Sequence, residues 1–269
     1  MAKFERRVIC QAELPFIPWT DPFLNRLPGL RPIDPVDWLV TDDAFAAQMA
    51  YRDALFSDAR DTVYKITDAG EAAARELMDL VVETVASREG YRQDGDVVVR
   101  PDGVKVSMQS DAPLVVAARL VQEDVLILVD QGAEHQLVGG VLCFPAFWSL
   151  AQKVGRSVFD THQPVDEYDN RMGDKVERVL RTLKVERPVM RANYLVYTNP
   201  DLHQPAEEGA TRVVEPGRLR YIRVERQTLR RLPRTGAVVF GIHTYVVRAS
   251  DLDPHAYEAL VAIKPELAG

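Results

Sequence analysis

The run YIRVERQTLRRLPRTGAVVFGIHTY, residues 221–245, gathers charged and hydrogen-bonding side chains between two apolar, strand-like stretches. Between residues 212 and 234 stand eight arginines (212, 218, 220, 223, 226, 230, 231 and 234) against Glu215 and Glu225, in a chain of net charge −7. Arginine is a permanently charged planar fork that suits a carboxylate, a phosphate or an activated oxygen ligand. The run reads either as a solvated face with surface ion pairs or as strands lining a ligand site. The regular apolar alternation on both sides favours the site.

Strand alternation sorts the candidates. Over residues 188–197, Arg191 and Asn193 share a face with Val189, Leu195 and Tyr197, opposite Met190, Ala192, Tyr194 and Val196. Over 237–248, His243 and Tyr245 share a face with Val239 and Gly241. Glu225 and Arg226 fall on opposite faces. Polar residues in mid-strand need partners once buried, and a ligand would supply them. His162 reads as a loop or capping residue, or as a single metal-bound imidazole. No CxxC, HExxH or His/carboxylate spacing supports a chelated ion. One imidazole can still hold a haem, whose ring supplies four ligands. Cys143, in VLCFP, reads as a buried strand-end thiol, with thiolate ligation as the alternative.

These residues need elements to place them. Residues 13–41 carry six prolines and read as an extended wrap anchored by Phe16, Trp19, Phe23 and Trp38. A helix is predicted from near Asp42, with Phe45, Ala46 and Met49 on one face, and a second with Asp68 as N-cap and Glu71 three residues later. Valine-rich runs at 97–99, 104–108, 114–120, 125–129 and 135–144 predict strands, with a hairpin at Gln131-Gly132 and a bulge or close backbone approach at Gly139-Gly140. Pro145 is expected to open a helix to about Phe159, and another is expected over 170–184 with Met172, Val176, Val179, Leu180 and Leu183 inward. Strands at 188–197, 218–225 and 237–248 follow, the last two separated by a turn at 226–236. Strands, then helices, then strands make an α+β fold with an antiparallel sheet.

With 269 residues, 46% hydrophobic and 27% charged, the chain has the composition of an ordinary globular protein able to bury a cofactor. A pI near 5.4 argues against nucleic acid as a partner. Cys10 and Cys143 are the only cysteines, too few for a disulfide framework or a four-thiolate cluster, and they fit a reducing compartment. The opening MAKFERRVICQAELPFIPW is broken by polar residues and prolines. It reads as neither signal peptide nor membrane span, and a cytoplasmic protein is expected.

The segments HQPVDEY (162–168), VERVLRTL (176–183), RPVMRANY (187–194) and RVERQTLRRLPRTGAVVFGIHTY (223–245) resemble the haem-dependent oxidative N-demethylase alpha-subunit family. GLRPIDPVDWL (29–39) and a following helix carrying Arg52 extend the likeness over nearly the whole chain. The resemblance implies a haem-binding PAS-like domain over residues 96–252, an N-terminal wrap with helices over 1–95, and a C-terminal helical tail over 253–269. It implies an oxygenase that removes a methyl group from a small secondary amine such as dimethylamine and releases formaldehyde. The implied cofactor is haem b. NADPH, FMN and a 2Fe–2S cluster are expected on a partner reductase subunit, and a folate-binding subunit is expected to take the one-carbon unit. Neither is encoded here, for the chain lacks cluster cysteines and any GxGxxG loop.

By the same resemblance His162 is the axial ligand, since haem PAS domains place that histidine on the helical side and an arginine on the strand that follows. Arg191 and Arg226 are the implied donors to the reacting oxygen. Glu225, Tyr194 and Tyr245 are candidates for holding the amine. Arg220, Arg230 and Arg231 are candidate propionate clamps, with Thr228 and His243 also cofactor-facing. A haem-binding sensor of the PAS type is the rival reading, but no heptad run or DNA-binding motif follows residue 248 to serve as its output.

Overall fold

The computed structural model describes residues 8–26, 28–162, 170–210, 215, 217–264 and 267. The HQPVDEY break beyond His162, Arg212 and the two chain ends lie outside them. The proline-rich opening is a strap. Its short strand β1 (Arg31–Pro32) pairs with the edge of the main sheet, and Trp19 Nε1 donates to the Ala256 carbonyl at 2.8 Å. Trp38 is completely buried.

Helix α1 (Phe45–Asp58) follows, with Asp42 accepting from the Ala44 amide at 2.9 Å just before it. It buries Phe45, Met49 and Leu55, whereas Ala46 is exposed rather than inward. A short α2 (Arg60–Val63) leads into β2 (Tyr64–Ile66) and then α3 (Glu71–Ala86), whose Ala74, Leu77, Val81 and Val85 face the core at helical spacing. Asp68 is not the cap of α3: it begins a 3-10 turn, and Gly70 stands at the N-cap position without a side-chain bond. The reason is close packing. A Cβ on Gly70 would lie 3.0 Å from Ile66 Cγ1 and 3.1 Å from the Val138 carbonyl oxygen.

Strands β3 (Arg92–Asp94), β4 (Val97–Val99) and β5 (Lys105–Ser107) form a small separate sheet. The apolar run after it is not a strand. It is α4 (Pro113–Ala118), with proline in its first turn and Leu114 to Ala118 all buried. A short run that is apolar all round has no period to distinguish a buried strand from a buried helix. The hairpin β6 (Asp124–Asp130) and β7 (His135–Val141) turns through Gly132 at φ 91°. Beside Gly139 and Gly140 both expected features occur: the register shifts between Ile127 and Leu128, and a Cβ on Gly139 would meet Ile66 Cγ1 at 2.8 Å.

No continuous helix follows Pro145. Ala146 bridges Gln204, Phe147 takes φ 68°, and only a 3-10 turn at Leu150–Gln152 precedes α5 (Val158–His162). A left-handed residue in the first turn and the pairing beside it deny the helix its start. Helix α6 (Asn170–Thr182) follows, then β8 (Val189–Tyr197), β9 (Tyr221–Arg231), β10 (Val238–Arg248) and α7 (Pro254–Ile263). Strand β9 runs six residues beyond the expected end, so ERQTLRR is strand and the turn begins at Leu232.

The main sheet is antiparallel throughout, in the order β1-β8-β9-β10-β6-β7-β2, and the fold is α+β. One face, here the helical face, packs Leu126, Leu128 and Ile242 against Val158 of α5 and Leu180 of α6. The other, the strap face, packs Val125, Ile127 and Val239 with the strap and with α1, α3 and α4. Among the described residues, no helix is long and apolar enough to cross a membrane.

Candidate functional site

Register decides which candidates meet. Arg191 stands opposite Gln227, Asn193 opposite Glu225, and Thr244 opposite Glu225 from the far side. With Arg223, two residues before Glu225, these side chains share the helical face. Here Glu225 is 5% exposed; Gln227 Nε2 donates to its Oε2 at 3.0 Å, and Arg223 Nη2 lies 3.4 Å from its Oε1. Both carboxylate oxygens are therefore held in place. Arg223, 2% exposed, also donates to the Leu202 carbonyl at 3.1 Å and to the Phe144 carbonyl.

Arg191 is less provided for. Its Nε is buried with no hydrogen-bond partner among the described residues. Burial pulls its pKa below the usual arginine range, and the charge of Glu225 opposes that shift. A buried, unpartnered guanidinium N–H is costly unless a further group meets it. Helix α5 packs on this side of the sheet through Val158, while the His162 side chain and residues 163–169 lie outside what the structure describes.

The remaining candidates are elsewhere. Arg226, Thr228, Arg230, His243 and Tyr194 alternate onto the strap face. The fork of Arg226 donates to the Asp37 and Trp38 carbonyls at 2.5 and 3.3 Å. Thr228 fills the space left by Gly241, where a Cβ would come within 2.7 Å of its Oγ1. The hydroxyl of Tyr194 donates to Asn25 Oδ1 at 3.1 Å. Arg231 is on the helical face, but its guanidinium caps the C-terminal end of α6 through the Leu180 and Leu183 carbonyls at 2.5 and 2.7 Å. Arg220 precedes β9 and donates to the Glu215 and Arg218 carbonyls at 2.7 and 2.8 Å.

His243 is fully buried, with Nε2 3.0 Å from Asp42 Oδ2 and Nδ1 3.3 Å from Glu123 Oε1. Burial favours its neutral form, but the hydrogen bonds and charges of Asp42 and Glu123 outweigh it and raise the pKa to about 9. Both ring nitrogens are thus occupied, which leaves none for a metal. Gln48 and Gln11 tie the same region to the Thr244 carbonyl. Nearby, Arg52 and Asp124 form a buried ion pair at 2.9 Å, and Asp124 also accepts from the Cys143 and Phe144 amides. Cys143 is completely buried, and burial pushes its thiol pKa up, against thiolate formation.

The sequence reading passed over Arg223, Gln227, Thr244, Glu123 and Asp124. A signal for the first two existed: Arg223, Glu225 and Gln227 follow the two-residue strand period, lost once the strand was ended at Glu225. Glu123 and Asp124 carry no such signal.

For the group this arrangement could receive, the observation that counts is Arg191. Its orphaned buried N–H and the fixed carboxylate on the same sheet face fit the polar side of a site for an oxygen-binding cofactor and a small cation. The family model described as haem-dependent oxidative N-demethylase, alpha subunit-like, matches residues 29–265, and the chain belongs to that family.

Proposed function

We propose that this chain is the haem-binding catalytic subunit of an oxidative N-demethylase acting on a small secondary amine such as dimethylamine. The single observation that carries the assignment of the site is Arg191, desolvated and unpartnered at Nε, on the same sheet face as the fixed carboxylate of Glu225. An antiparallel sheet with a helical segment over one face and this arginine on the strand that follows supports a PAS-like haem domain. His162 would hold the haem, which we take to be haem b. Of the other histidines, His243 has both ring nitrogens on carboxylates and His255 is exposed in α7, while His135 and His203 use Nδ1 alone, on Glu177 and on the Cys143 carbonyl.

Bound haem supplies the oxygen-activating redox chemistry. Arg191 then presents preorganised donors to the oxygen where negative charge develops. Glu225, with both oxygens already oriented, holds the amine as a cation and fixes its methyl group toward the reacting centre. Asn193 and Gln227 complete the polar wall, and the apolar contacts of α5 and α6 exclude water. Arg226 and Tyr194 lie on the far face, so we assign them positioning rather than contact roles. The family description as an alpha subunit implies further subunits. We propose that one is a reductase carrying FMN and a 2Fe–2S cluster that takes electrons from NADPH, and that a folate-binding subunit receives the one-carbon unit.

The test is the absorption spectrum of the purified chain with and without dithionite. A Soret band that shifts on reduction is expected, and its absence after haem reconstitution would overturn the reading. His162→Ala should abolish or greatly weaken that band. Amine-dependent formaldehyde release with a chemical reductant should then distinguish an enzyme from a sensor.

A further inference from the structure

A cavity lies on the strap face, on the opposite side of the sheet from Arg191 and Glu225. It is an open cleft of about 1130 Å³, walled by the proline-rich strap and by α3, with Met190, Arg226 and Tyr245 on its sheet side. We propose that this cleft binds a small organic carboxylate with an apolar body, independently of the haem.

The charge distribution comes first. Arg226, 7% exposed, donates to two strap carbonyls, and Arg230 donates to the Pro35 carbonyl at 2.9 Å with its guanidinium carbon 4.7 Å from the Trp38 ring centroid. Among the described residues neither forms an ion pair with a carboxylate. Burial lowers the pKa of Arg230, with the charge of Glu83 opposing. Two largely buried guanidinium groups held by backbone carbonyls, without a carboxylate in ion-pair contact among the described residues, leave positive charge that an anion would neutralise. Asp37 and Glu83 also line the cleft, but so do Arg31 and Arg88, and Arg31 is paired with Asp21 at 2.6 Å.

The second observation is independent of charge. Tyr245 is 2% exposed and lines the cleft, and its hydroxyl makes no hydrogen bond among the described residues. Burial raises its pKa, so the group is a neutral phenol and a donor. The phenol of Tyr245 and the guanidinium of Arg226, diagonal neighbours across the β9–β10 ladder, match the two oxygens of one carboxylate. Phe16, Ile33, Leu80 and Met190 line the rest, and an inorganic ion would leave them against water. An apolar tail covers them.

Calorimetric titration of the full-length, haem-loaded chain with octanoate tests this. Saturable binding at one site is expected, weakened roughly tenfold or more by Arg226→Gln and by Tyr245→Phe, each of which removes a buried donor. The Tyr245→Phe change deletes one oxygen and keeps the ring, so it preserves the core. The Soret band should not move as octanoate binds. The proposal fails if no saturable heat is seen, or if both variants bind octanoate as the parent chain does. It also fails if inorganic phosphate competes as well as octanoate, or if octanoate shifts the Soret band, which would place it in the haem pocket.

Discussion

Arg191 and Glu225 are diagonal neighbours across the β8–β9 ladder, Arg191 opposite Gln227 and Glu225 opposite Asn193, so a desolvated guanidinium and a desolvated carboxylate share one sheet face. Glu225 is the charge that supports ionised Arg191. If it also holds the cationic amine, Glu225→Gln should keep the shape of the site and remove its negative charge. A charged hydrogen bond contributes about 1.5–3 kcal/mol, so kcat/KM for the amine should fall roughly ten- to hundredfold. Formaldehyde release measures this, with an unchanged Soret band as the control for haem binding. An unchanged kcat/KM would place the amine elsewhere.

Arg191→Gln should act on a different constant. The residue is proposed to stabilise charge that appears during reaction rather than the bound amine. Loss of such a donor costs about 2.7–4 kcal/mol, a fall of roughly 100-fold or more in kcat with little change in KM. A rise in KM at constant kcat would instead make Arg191 a binding group.

The α+β class and the shared face of Arg191 and Asn193 were legible because strand alternation is a local property. So were the Gly132 hairpin and the tight approach at Gly139-Gly140. The true length of β9 was not, because the charge of ERQTLRR imitates a solvated turn. In the fold, the aliphatic stems of these arginines lie along the sheet while their forks reach carbonyls of the strap and of α6. Buried pairs such as Arg52–Asp124 are set by elements separated by 72 residues, and no local period encodes them.

The His243 cluster predicts a pH dependence of stability. The folded pKa of about 9 lies above the ordinary 6.5, so the folded chain binds the extra proton between these values. Its contribution is complete below about pH 6.5 and is lost as pH rises through 9, on the order of 3 kcal/mol in all. Asp42 has a lowered pKa: burial raises it, but the hydrogen bond and charge of His243 and the bonds from Gln122 and Gln11 prevail. Its contribution is lost in the opposite direction, as pH falls below the ordinary carboxylate range. Thermal melts from pH 6 to 9.5 should show a falling Tm, and His243→Gln should flatten that slope. An equal slope in the variant would assign the effect to other groups.

Asp124→Asn tests the ion pair beneath the strap. Both partners are essentially inaccessible, and the carboxylate also accepts two backbone amides, so the substitution leaves Arg52 charged and unpaired in the interior. Breaking such a pair by changing one partner costs about 3–5 kcal/mol. A fall in Tm on the order of 10 °C is expected for a chain of this size. A change of a degree or two would show that water or a rotated side chain replaces the lost contact.

Gly140→Ala separates packing from chemistry. Its backbone needs no left-handed conformation, yet an added Cβ would lie 2.4 Å from Leu126 Cδ2 and 3.1 Å from the Val125 carbonyl oxygen. Leu126 is itself packed among the apolar side chains under α5 and α6, so it has little room to yield. Overpacking of this kind costs about 1–3 kcal/mol. The strain would fall on the β6–β7 pair, which carries no proposed haem or amine contact. The variant should therefore melt several degrees lower while the Soret band and the KM for the amine hold their values at low temperature. Loss of haem from a chain that is still folded would instead mean that the β6–β7 pair forms part of the pocket.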